Sequence, residues 1–130
     1  MPELKWDETD FLEYLEVLPQ IEEYGTKIYY EVKQSDLILV ISIWQYESVV
    51  AVSLLRDETA TPIASFTLAV RGDVRYVKDK RGEYLEFNDC VVVSNRFYYH
   101  ETKDVFDRTK FTGQLQMELS IKPHIQVKFR

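Results

Sequence analysis

The sequence predicts a mainly β fold: an antiparallel meander of about eight or nine strands forming a sandwich or barrel, covered by one N-terminal amphipathic helix. Three observations carry this. From Thr26 onward apolar and polar residues alternate with a period of two, and turn residues interrupt the chain about every ten residues. No second stretch of helical period is long enough to serve as a crossover between parallel strands. At 130 residues with 45% hydrophobic content, the chain has the length and apolar share of one domain with one core.

The helix is read from Asp7 to Tyr24. Phe11, Leu12, Leu15 and Leu18 fall on one arc at helical spacing, and Asp10, Glu13 and Glu16 fall on the opposite one. Thr9 or Asp10 caps its start. Pro19 lacks an N–H and disfavours helix at Leu18, so a break is expected there, followed by a short second turn ending at Gly25. Residues 1–25 thus form an acidic helical segment and residues 26–130 an antiparallel β domain.

Ile28, Tyr30 and Val32 then alternate with charged neighbours as a strand with one wet face, and Gln34-Ser35-Asp36 turns the chain. Leu37–Trp44 and Val49–Leu55 are apolar at both parities, which predicts central strands covered on both sides, the helix being one cover. Pro62 opens a strand from Ile63 to Val70. Arg71-Gly72-Asp73 turns into Val74–Lys78, and Asp79-Lys80-Arg81-Gly82 turns into Glu83–Val93, which bends at Asn88-Asp89 because both residues favour turns and bulges. Phe97–Glu101 reads as a short strand and 102–113 as a long loop. Leu115–Ile121 and Ile125–Phe129 alternate cleanly across Lys122-Pro123-His124 as a closing hairpin.

Charge is the least uniform property. Residues 1–25 hold eight carboxylates against one lysine, whereas the whole chain is only -6, so the remainder is close to neutral. A one-signed surface accelerates encounter with, and selects for, a partner of opposite sign. Asp10, Glu13, Glu16, Glu22 and Glu23 are therefore the candidate partner-binding residues. The expected function is a non-catalytic, inhibitor-like module docking a basic protein, by analogy of charge and size with small acidic domains that neutralise basic nucleases. A rival reading is a β-barrel that binds a small apolar ligand, or an enzyme of unknown reaction, suggested by 14% aromatic content on alternating strands. A third is a homo-oligomer formed through a strand edge.

Catalytic and metal chemistries find little support. His100, Glu101, Asp104 and Asp107 are the one grouping that resembles a metal site, but adjacent strand residues face opposite ways. Cys90, the lone cysteine, beside Val91-Val92-Val93, reads as a buried structural thiol. Glu83, Glu86 and Asp89 are odd-spaced and do not pair along a strand. No cofactor is expected. Arg71, Arg75, Lys78, Lys80 and Arg81, with Tyr76 and Tyr84, form a basic and aromatic run, yet the acidic balance argues against nucleic acid. The opening residues show no basic-then-apolar leader and no apolar run approaches membrane-spanning length, so a cytoplasmic protein is expected.

Overall fold

The computed structural model describes residues 3–56, 62–94, 104–107, 109–110 and 115–130. Helix α1 (Glu8–Leu15) is shorter than its sequence pattern and starts earlier. Asp7 caps it, accepting the Thr9 N–H at 2.8 Å. Glu16 ends it in the left-handed conformation and donates its N–H to the Leu12 carbonyl at 3.0 Å.

The expected second helical turn from Pro19 is instead strand β1 (Gln20–Glu22), paired antiparallel with β2 (Lys27–Gln34) and joined to it by one 3-10 turn, Glu23–Gly25. The alternative partner was out of sequence view. Once Pro19 interrupts the helix, the next residues satisfy their backbone groups on the exposed edge of β2, a bond set that local propensity cannot compete with.

The remaining strands follow the alternation closely: β3 (Leu37–Trp44), β4 (Val49–Arg56), β5 (Pro62–Val70), β6 (Val74–Asp79), β7 (Gly82–Val93), β8 (Leu115–Ser120) and β9 (Gln126–Phe129). All nine belong to one antiparallel sheet in the order β1-β2-β3-β4-β5-β7-β8-β9, with β6 paired to the first half of β7. The sheet curls without closing, because its end strands β1 and β9 are not paired to each other, and this removes the closed-barrel option.

Strand β7 makes the curl. Its first half pairs β6 and its second half pairs β5, with a register shift on the β8 side between Phe87 and Cys90, where Asp89 takes a positive φ of 54°. The bend expected at Asn88-Asp89 is therefore present. Arg71-Gly72-Asp73 is bonded into it: the Arg71 N–H donates to the Asp89 carbonyl and the Gly72 N–H to the Asn88 carbonyl, at 2.9 and 3.0 Å. A Cβ on Gly72 would lie 2.7 Å from the Asn88 carbonyl oxygen, so only glycine permits this approach.

The inner face and α1 share one core. Phe11, Tyr14 and Leu15 join Ile28, Tyr30, Leu39, Ile41, Leu68, Leu85, Phe87, Met117 and Leu119. Two residues depart from the predicted helix face: Leu12 and Leu18 are 45% and 74% exposed, while Tyr14 is fully buried. Tyr14 is held by polar bonds across the opening of the sheet, its hydroxyl donating to the Glu83 carbonyl at 2.8 Å and accepting the Ile121 N–H at 2.9 Å. Gln34 ties the end of β2 to the β8–β9 connection in the same way, at Ile121 and Ile125. The helix packs on β6 and β7 and its Phe11 ring meets Tyr30 of β2. Strands β3 and β4 are not covered on both sides: Ile38, Val40, Ala51 and Leu55 on their outer face are only half-buried. A second, smaller cluster on the outer face joins Ala69 and Val93 to Val105.

Candidate functional site

The five acidic residues singled out from the sequence lie on α1, at its C-cap and around the β1–β2 turn, and they differ in environment. Asp10 is half-buried, and desolvation, then the nearby Asp7 and Glu13 carboxylates, raise its carboxyl above the ordinary range. Glu13 pairs with Lys78, Glu16 with Lys122 and Glu22 with Lys27, each at 3.4 Å. Glu23 accepts the Trp44 indole N–H at 3.2 Å. The structure thus sets a lysine beside three of the five; the Glu13 and Glu16 pairs are solvent-exposed and worth about 0–1 kcal/mol each, while Lys27 beside Glu22 is half-buried.

The corner containing β1 and the β1–β2 turn is also apolar. Leu18, Ile21 and Tyr24 are 74%, 66% and 109% exposed. Glu23, Tyr24 and Gly25 have φ of 52°, 57° and 91°, three left-handed residues in succession. On the outer face of the hairpin, Lys27 lies 5.5 Å over the Tyr29 ring and 5.4 Å over the Trp44 ring. Beside it Val17, Leu18, Gln20, Tyr29 and Glu31 line an open concavity of about 440 Å³.

A second charged region was not foreseen. Register places Arg75, Glu86, Glu118 and Lys128 in one row across β6, β7, β8 and β9 on the outer face. Glu86 and Glu118 are directly opposed and both are buried, at 7% and 4% exposure. Arg75 donates to Glu86 at 2.8 Å, and Arg81 and Arg130 flank Glu118 at 3.0 and 3.2 Å. Asn88 links Glu86 to Asp73, and Gln116 donates to Asn88. Arg81 also meets Tyr84 and Asp79; burial, then its hydrogen bond to Asp79, push the Tyr84 phenol up to about 12. Strand pairing alone creates this pair of carboxylates, 32 positions apart in sequence, so no local spacing signals it.

The basic run is absorbed by the same contacts. Arg71 is buried and donates to Asp89 at 2.7 Å and to the Val105 carbonyl at 3.2 Å. Arg75 pairs with Asp73 and Glu86, Lys78 with Glu13 and Glu83, and Arg81 with Asp79 and Glu118. Tyr76 packs on Tyr14, and Tyr84 is buried. Four of the five bases of the run, all but Lys80, are thus paired with carboxylates of this chain, Arg71 buried and Arg75, Lys78 and Arg81 exposed.

Cys90 is buried, and desolvation pushes its thiol up to about 12, the state of an inert structural cysteine. His100 and Glu101 lie outside the described residues, and among the described residues no three His, Cys, Asp or Glu side chains gather at metal-binding range. No helix among the described residues is long and apolar enough to cross a membrane. A second groove, about 270 Å³, lies between β3–β5 and β9 and is lined by Leu39, Val52, Phe66, Val127 and Phe129 among others.

No family model matches this chain, and no curated protein matches it. One solved structure shares its architecture: a chain of the contact-dependent growth inhibition toxin–immunity protein complex from Klebsiella pneumoniae 342. The two superpose with a TM-score of 0.73 over 100% of this chain and 98% of that one, at 16% sequence identity. That likeness is one of fold.

Proposed function

We propose that this chain is a non-catalytic protein-binding module of the immunity or inhibitor kind, which neutralises a basic, growth-inhibiting protein by docking it through the acidic residues Asp10, Glu13, Glu16, Glu22 and Glu23. The observation that carries the proposal is the concentration of eight carboxylates in the first 25 residues. The shared fold with a component of a toxin–immunity complex supports the same reading. The lysines beside Glu13, Glu16 and Glu22 are consistent with it. Exposed pairs of this strength exchange readily, so a partner's arginines can replace Lys78 and Lys122 at little cost. An inhibitor of this kind acts where its target acts, which on this reading is the cytoplasm.

The small-ligand reading fares less well. Among the described residues the apolar groove at Phe66 and Phe129 measures about 270 Å³ and is open, and the larger concavity of about 440 Å³ at Val17 and Tyr29 is open as well. Ligand pockets commonly occupy about 300–1,000 Å³ and enclose most of the ligand.

The test is co-expression with the product of the gene adjacent to its own. Growth arrest by that protein alone, relief by this chain, and co-purification of the two are expected. Reversing Glu13, Glu16 and Glu23 to lysine should abolish both relief and co-purification. Arrest that persists despite co-expression, or growth arrest by this chain itself, overturns the proposal.

A further inference from the structure

We propose that the concavity between the Val17–Gln20 segment and the outer face of β2 receives an arginine or lysine side chain of the protein partner. The proposal rests on the protein-binding reading above and deepens it by naming the contact. Three features of the site fit that occupant. Val17 and Leu18 supply an apolar wall for a methylene stem, Tyr29 offers a ring, and Glu31 and Gln20 supply oxygen acceptors for the cationic head. The open volume of about 440 Å³ has room for a long side chain.

The molecule already builds the same combination one step along the hairpin. Lys27 lies against Tyr29 and Trp44 and pairs with Glu22 at 3.4 Å. A cation set between aromatic rings and a carboxylate is thus an arrangement this face supports. The surroundings are mixed in sign: Glu16 directly precedes Val17 and Glu22 lies two residues beyond Gln20, while Lys27 and Lys33 share the outer face of β2 with Tyr29 and Glu31, so Glu31 is the carboxylate the occupant would meet. The surroundings also have the composition of an interface centre, since Leu18 and Tyr24 are exposed on this corner and aromatic contacts inside a charged rim typify protein-binding surfaces. Tyr24 is held in a left-handed conformation while fully exposed, a backbone cost that no burial within this chain repays.

The experiment uses the full chain, isotopically labelled, titrated with a hexa-arginine peptide and followed by amide chemical shifts. Shift changes should concentrate at Val17, Leu18, Gln20, Tyr29 and Glu31. Glu31→Gln should weaken the peptide by about three- to fivefold, the effect of one partly exposed charge contact, and Glu8→Gln on α1 should not. Shifts centred on α1, equal weakening by the two variants, or no localised shifts overturn the inference. In the co-expression assay, a partner that still binds the Glu31→Lys variant with unchanged affinity rules out this contact and leaves the protein-binding reading intact. Conversely, localised hexa-arginine binding with no partner captured or neutralised overturns the protein-binding reading and, with it, the assignment of the occupant to a protein partner.

Discussion

The outer face of β6–β9 and the corner at β1–β2 are both rich in charge and aromatic rings, but they use them differently. On β6–β9 the charges face one another: Glu86 and Glu118 are buried under Arg75, Arg81 and Arg130, and Asp73, Asn88 and Gln116 complete the bonding. At the β1–β2 corner Leu18, Ile21 and Tyr24 face solvent, and the backbone takes left-handed angles at two consecutive residues that are not glycine. The first arrangement is complete within the chain, as buried polar groups must be. The second keeps apolar surface and acceptor oxygens available, which favours association over folding.

This contrast predicts that damage to the closed region lowers stability and spares binding, and that damage to the open corner does the reverse. The largest effect is expected at Tyr14, which closes the sheet from within. Tyr14→Ala removes a fully buried ring and leaves the Glu83 carbonyl and the Ile121 N–H without their partner. A loss of about 3–5 kcal/mol in denaturant unfolding is expected, the usual cost of truncating a core aromatic; a loss within the range of surface substitutions would show that α1 does not seal the core. Glu118→Gln comes next. It removes the charge flanked by Arg81 and Arg130 while keeping the shape, and should lower Tm by a few degrees with partner affinity unchanged. Reduced affinity in that variant would mean that the β6–β9 face is part of the docking surface.

The smallest change in stability, and the sharpest distinction, is expected at Tyr24. Glycine adopts its φ of 57° without strain, so Tyr24→Gly should raise stability by up to about 1 kcal/mol while weakening the partner. Unchanged affinity with the same stabilisation would reduce the turn to a local irregularity without a role in docking.

Much of the sheet was legible because alternation reports directly on a half-buried strand. The edges of β2 through β9 follow the apolar pattern to within a few residues, and the Asn88-Asp89 bulge was marked by two poor strand formers. The concentration of acid in residues 1–25 was equally visible, since net charge needs no tertiary information. Sequence alone also identified Cys90 as a core residue by its apolar neighbours.

What the sequence did not determine depends on partners far along the chain. Residues 20–22 became a strand because the edge of β2 offered backbone bonds. Leu12 was left exposed because α1 turns Phe11, Tyr14 and Leu15 to the core, and Leu18 because the helix ends at Leu15 and no longer sets its direction. Arg71, Arg75, Lys78 and Arg81 of the basic run met carboxylates brought beside them by the fold, and Glu86 met Glu118 only through strand register. Periodicity records which face of an element is apolar, while only the folded chain decides which element lies opposite. In this protein that opposition separates charges paired within the fold from those left at its surface.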